Sequence, residues 1–186
     1  GCFTLGQLYW EGTGVAQDVG RALSLFERGC EGGVGGACHN LGVAYENAVG
    51  VPQDYARAVE FYRPACNADV WASCTNLGLA YLNARGVGRD EARASALFEK
   101  SCAAGFALGC HNRGAVYQHG AGVEQDASRA ASLYQRACAD EIMHACANLG
   151  YLYQKGLGVA EDQPRAAALY QKACETDNLQ GCHNLG

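Results

Sequence analysis

The chain has 186 residues, 49% of them hydrophobic and 18% charged, which is the balance of a folded protein and not of a disordered one. Its formal net charge of -5 argues against the Lys and Arg surface through which nucleic acid is held, so nucleic acid is set aside as a partner. No apolar run approaches the roughly 20 residues of a membrane helix, and no leader of charged, then apolar, then small residues opens at Gly1.

Cys2, Gly6 and Tyr9 open the chain, and this signature returns with a period of 36. The cysteines continue as Cys38, Cys74, Cys110, Cys146 and Cys182, the glycines as Gly42, Gly78, Gly114, Gly150 and Gly186, and the tyrosines as Tyr45, Tyr81, Tyr117 and Tyr153. A fixed period of this length marks stacked units, none of which can bury its apolar face alone. The repeats run over 2–37, 38–73, 74–109, 110–145 and 146–181, within one solenoid, with the start of a further unit at 182–186.

Within the second copy, Cys38, Leu41, Gly42 and Tyr45 recur at three and four residues, which predicts a first helix over about 38–45. Its glycine offers no side chain, so a partner helix can approach closely. Next comes a Gly-Val break, at Gly14, Gly50, Gly86, Gly122 and Gly158. Asp18, Asp54, Asp90, Asp126 and Asp162 then stand as N-caps of a second helix, each with an Arg three places on. In that helix Ala58, Phe61, Tyr62, Ala65 and Cys66 keep helical spacing. The expected fold is all-α, a superhelical α/α solenoid of five 36-residue helix-turn-helix repeats with a concave and a convex face.

Ten of the eleven cysteines form pairs with seven residues between partners: Cys30 with Cys38, Cys66 with Cys74, Cys102 with Cys110, Cys138 with Cys146, Cys174 with Cys182. Each pair bridges the turn from a second helix to the next first helix. Disulfides are the favoured reading, with an oxidising compartment, secreted or periplasmic, as its consequence. Two alternatives stay open: free thiols packed as small apolar groups, in the mitochondrial intermembrane space or cytoplasm, and zinc, for which each turn offers too few ligands. The partner of Cys2 would fall before Gly1, so the chain is read as a fragment of a longer one.

The segment CHNLGVAYENAVGVPQDYARAVEFYRPAC, from Cys38 to Cys66, resembles the Sel1-like repeat, a relative of the tetratricopeptide repeat. With its cysteine pair it is most similar to the cysteine-rich Helicobacter type, secreted solenoids with one disulfide per repeat. That resemblance implies a protein-interaction module, and some members are described as binding penicillin-like compounds or hydrolysing them weakly. It also implies that the first helices line the concave face. The expected contact residues there are the asparagine column Asn40, Asn76, Asn112 and Asn148, continued by Asn184, together with His39, Val43, Leu79, His111, Gln118, Tyr151 and Lys155. Thr75 and Ala147 stand at the His39 position in their own copies. A carboxamide both donates and accepts, so a ladder of them can clamp the backbone of an extended peptide; alternatively each Asn steadies its own solenoid. Trp10 and Trp71 are either partner anchors or packing. Arg113 departs from the pattern, standing where the other copies carry Leu41, Leu77 and Leu149.

Catalysis needs a nucleophile, a base and charge stabilisation converging on one pocket, and no such set is legible. No Ser is followed three residues on by Lys, and neither HExxH nor GxSxG occurs. His39, His111, His119, His144 and His183 are spread along the chain and read as solvated surface residues, with a pH-sensitive contact as the functional alternative. The expectation is a monomeric, non-enzymatic scaffold for a protein or extended peptide, with no cofactor, no metal and no membrane insertion. A weak penicillin-binding or β-lactamase-type hydrolase is the alternative.

Overall fold

The computed structural model describes residues 1–175 and 181–183, and among these no strand occurs. Among the described residues the helices run in the order α1 (Cys2–Glu11), α2 (Val19–Glu31), α3 (Gly35–Asn47), α4 (Tyr55–Asn67), α5 (Trp71–Asn83), α6 (Glu91–Ala103), α7 (Ala107–His119), α8 (Ala127–Ala139), α9 (Met143–Lys155) and α10 (Gln163–Cys174), and residues 181–183 are helical as well. Two compact units divide the chain, residues 1–94 and residues 95–186. In the first, α1 packs on α2 and α3 on α4, while α2 meets α3 and α4 meets α5; in the second, α7 packs on α8 and α9 on α10, while α8 meets α9.

Local chemistry fixes where the second helices begin. The carboxylates of Asp18, Asp54, Asp90, Asp126 and Asp162 accept from the backbone N–H three residues on at 2.9–3.0 Å, satisfying one orphan donor of each first turn. The N–H of the same aspartates donates to the carbonyls of Tyr9, Tyr45, Tyr81, Tyr117 and Tyr153 at 2.9–3.1 Å, closing each interhelical loop onto the helix it left. Gly86 and Gly158 in that loop have positive φ, and a Cβ there would collide with the backbone at Tyr55 and Ala127 respectively. The first helices run longer than the periodicity suggests, α3 covering Gly35–Asn47 instead of 38–45. The extension follows from the preceding turn: the apolar N-caps Val34, Val70, Phe106 and Ile142 let the helix start ahead of the cysteine.

Each second helix buries one aromatic ring, and Phe26, Tyr62, Phe98, Tyr134 and Tyr170 are at most 2% exposed. Gly6, Gly42, Gly114 and Gly150 leave room for four of these rings, since a Cβ at any of them would lie 2.5–2.8 Å from the ring of Phe26, Tyr62, Tyr134 or Tyr170. All five predicted disulfides form, with Cα–Cα distances of 4.4–4.7 Å, and Cys2 is free. No helix among the described residues is long and apolar enough to cross a membrane.

Candidate functional site

On the first helices the asparagine column divides into two kinds. Asn76 hydrogen-bonds the hydroxyl of Tyr62, and Asn148 that of Tyr134, each reaching back to the second helix of the preceding repeat. The same hydroxyls donate within their own repeat, Tyr62 to Glu46 Oε2 and Tyr134 to Gln118 Oε1 at 2.6 Å. Tyr170 likewise donates to Gln154 Oε1 at 3.0 Å. Burial pushes the Tyr62 and Tyr134 phenols well above their ordinary range, so both stay neutral donors. Gln118, expected to face a partner, is therefore engaged inside its own repeat.

Asn112 has no such phenol to meet. Phe98 stands one repeat before it where Tyr62 and Tyr134 stand before Asn76 and Asn148, and the Asn112 Nδ2 group is buried without a hydrogen-bond partner. Asn40 follows a phenylalanine in the same way, Phe26. The sequence carries this alternation in paired columns: where the ring is Tyr, the first helix supplies Glu46, Gln118 or Gln154; where it is Phe, that position is Trp10 or Leu82. Trp10 packs on Phe26 at 5.9 Å between ring centroids, so it is a packing residue.

The histidines are not solvated as a group. His39 and His111 are half-buried, their rings 6.1 Å from Tyr62 and 5.7 Å from Tyr134. The expectation of free surface imidazoles fails for these two because each is covered by its own second helix and the next first helix. His39 Nδ1 pairs with Ser73 Oγ at 2.7 Å. Ala145 occupies the matching position in the later copy, so His111 Nδ1 is buried without a partner. Burial lowers the His39 pKa against the opposing pull of Glu46; burial first, and His144 at 6.4 Å second, push that of His111 down to about 4. His119, His144 and His183 are exposed.

The other expected contacts separate by burial. Val43, Leu79 and Ala115 are half-buried, Lys155 is exposed, and Tyr151 is 38% exposed. Thr75 and Ala147 are fully buried and belong to the core, which corrects their reading as surface positions. Asn184 lies outside the described residues. Arg113 is 8% exposed, its guanidinium held by Ser95, Glu99 and Tyr117. Among the described residues no group of three or more His, Cys, Asp or Glu side chains is placed to hold a metal ion.

A family model described as "Sel1 repeat" matches residues 1–34, 36–70, 71–106, 107–140 and 144–178. The chain belongs to the Sel1 repeat family. Among solved structures, a protective antigen of uropathogenic Escherichia coli with the same repeat fold is 33% identical, with a TM-score of 0.91 over 99% of this chain; the chain spans 39% of that antigen's length. A Sel1 repeat protein from Oxalobacter formigenes shares the fold at 24% identity and a TM-score of 0.94, over 99% of this chain and 73% of that one. Cysteine-rich protein B of Helicobacter pylori is 26% identical with a TM-score of 0.57, over 72% of this chain and 96% of that one. No curated protein matches. The Sel1 repeat solenoid is thus the fold, with the disulfide in each repeat that marks the cysteine-rich type. Sel1 repeats serve in general as protein-interaction scaffolds, typically without enzymatic activity.

Proposed function

We propose that the chain is a non-enzymatic scaffold that holds an extended peptide, or an extended segment of another protein, along the face formed by its first helices, in an oxidising compartment such as the periplasm or the extracellular space. The single observation that carries the reading is the unpaired, buried Nδ2 of Asn112. An unsatisfied buried amide costs about 1–3 kcal/mol, and rotation of this half-buried side chain toward the surface would let a peptide carbonyl recover it. Asn40 is assigned the same task, because Phe26 precedes it. Asn76 and Asn148 steady the solenoid through Tyr62 and Tyr134 and act on a peptide only in second place. Val43, Leu79, Ala115 and Tyr151 occupy one column with four different side chains, which suits side-chain selection on a constant scaffold. His39 and His111 flank the asparagines, and the exposed Lys155 adds a charge toward one end of the column. Five disulfides support the compartment.

The test is a fluorescence-anisotropy titration with labelled extended peptides selected on the wild-type protein. Asn112→Ala is expected to weaken binding about tenfold, the worth of one hydrogen bond to a buried partner, with a melting temperature no lower than that of the wild type. Asn76→Ala should lower the melting temperature and leave affinity within about threefold. Equal affinity of wild type and Asn112→Ala would end the assignment.

A further inference from the structure

Residues 95–186 contain a concavity lined from α6, α7 and α8. It is a cleft of about 440 Å³ between the end of α6 and α8, floored by Arg113 and Tyr117. That size is within the range of small-molecule sites.

Its floor breaks the repeat in two places at once. The columns that hold Leu23 with Leu41, Val59 with Leu77, and Ala131 with Leu149 hold Ser95 with Arg113 here. Arg113 Nη1 donates to the Ser95 carbonyl at 3.2 Å and to its hydroxyl, while Nη2 donates to Glu99 Oε2 at 3.2 Å and to the Tyr117 hydroxyl at 3.1 Å. A leucine would bury at this position without the desolvation penalty of a guanidinium, so packing does not account for the exchange.

Tyr117 shows what the exchange provides. Its oxygen accepts from Arg113 Nη2 and also from Arg129 Nη1, at 3.2 Å. Both lone pairs are then in use, and the phenolic hydrogen must be donated onward; no acceptor meets it among the described residues. Tyr9 and Tyr45 each take one guanidinium, while Tyr81 takes two, from Arg93 and from Arg63 of the preceding second helix. The serine hydroxyls of the cleft are spent on carbonyls, Ser128 on Gly158 at 2.7 Å and Ser132 on Ser128 at 3.1 Å. Apart from the Glu99 carboxylate, which is paired with Arg113, what the cleft offers a ligand is N–H and O–H donors, and the head group that fits is one that only accepts.

The lining is positive: Arg113, Arg129 and Arg136 stand there against Glu99, while Asp126, whose Oδ2 lies 3.2 Å from Arg129 Nε, and Glu124 act on Arg129 from outside it. Leu133, Ala103 and the Cys102 half of a disulfide supply an apolar wall. We infer that this cleft is a binding site for a monocarboxylate on an apolar stem, its carboxylate held by the phenol of Tyr117 and the guanidinium groups beside it. The chemistry is shared by a small organic acid and by the free C-terminus of a polypeptide ending in an apolar residue. The site is independent of the first-helix face.

Calorimetric titration with N-acetyl-L-phenylalanine and with its amide tests this. The acid is expected to bind saturably and the amide at least tenfold more weakly. Ser95→Val with Arg113→Leu restores the pairing already present at Val59 and Leu77; it should fold with an unchanged circular dichroism spectrum and bind the acid at least tenfold more weakly. Asn112→Ala should bind it as wild type does, so this site and the peptide face fail or stand separately. Equal binding of acid and amide, or full affinity in the double variant, would overturn the inference. A peptide with a free C-terminal phenylalanine that binds more tightly than the acetylated amino acid would identify a polypeptide terminus as the source; equal or weaker binding would identify a small acid.

Discussion

Gly114→Ala tests the close approach of helices seen at Gly6, Gly42, Gly114 and Gly150. Helix propensity alone favours alanine by about 1 kcal/mol. Against this, the new Cβ would stand 2.8 Å from Cδ1 and Cε1 of Tyr134, well inside the roughly 3.5–4.0 Å of a relaxed carbon contact. The ring cannot step aside freely. It is fully buried, and its hydroxyl is tied to Gln118 at 2.6 Å and to Asn148, so retreat loses hydrogen bonds of about 1 kcal/mol each. Overpacking of about 1–3 kcal/mol plus a strained hydroxyl outweighs the propensity gain, for a net destabilisation of about 1–2 kcal/mol. For a chain of this length that lowers the melting temperature by roughly 3–6 °C. Gly20→Ala is the matched control: its Cβ would meet only Asp18 Oδ1, at 3.6 Å, so it should stabilise by about 0.5 kcal/mol. Thermal and urea melts of the oxidised proteins, followed by far-ultraviolet circular dichroism, decide the matter. A Gly114→Ala protein as stable as wild type would refute the packing argument.

Replacing Cys102 and Cys110 by alanine opens a loop with a sequence separation of 8 and should cost about 2–3 kcal/mol; alkylation of the unreduced wild-type protein should label Cys2 alone, and labels on the paired cysteines would contradict the disulfide framework. His111 gives an acid sensitivity whose sign follows from its lowered pKa. The unfolded chain takes up the proton near pH 6.5 and the fold only near 4, so this contribution is complete above about 6.5 and falls by up to about 3 kcal/mol as pH drops toward 4. His39 acts in the same direction, and His111→Gln should flatten the slope in urea melts between pH 7 and 4. Ala145→Ser gives His111 Nδ1 the neighbour that Ser73 gives His39, and should stabilise by about 1 kcal/mol at pH 7.

The features written as strict columns were legible in the sequence: the aspartate caps, the loop glycines, the paired cysteines and the glycine of each first helix that admits its partner. Those that depend on two columns read together were not. Nothing at Asn112 differs from Asn76, because the difference lies 14 residues earlier, in Phe98 against Tyr62. His111 differs from His39 through Ala145 against Ser73, one repeat further on. Thr75 and Ala147 looked like surface positions by helical phase, yet stacking of the next hairpin buries them. Arg113 stood out at once, but its burial is understood only with Ser95, which faces it from the preceding second helix. In a stacked repeat a side chain's environment is supplied by its neighbours' columns, so periodicity within one unit describes the helices better than the site.

The most direct test of the peptide-binding reading is a nitrogen-15 correlation spectrum of the asparagine side-chain amides during titration with a selected extended peptide. The account predicts that the Asn112 NH₂ pair shifts and becomes protected from exchange, while those of Asn76 and Asn148 hold their positions on Tyr62 and Tyr134. Saturable binding that leaves the Asn112 resonances where they were would contradict it.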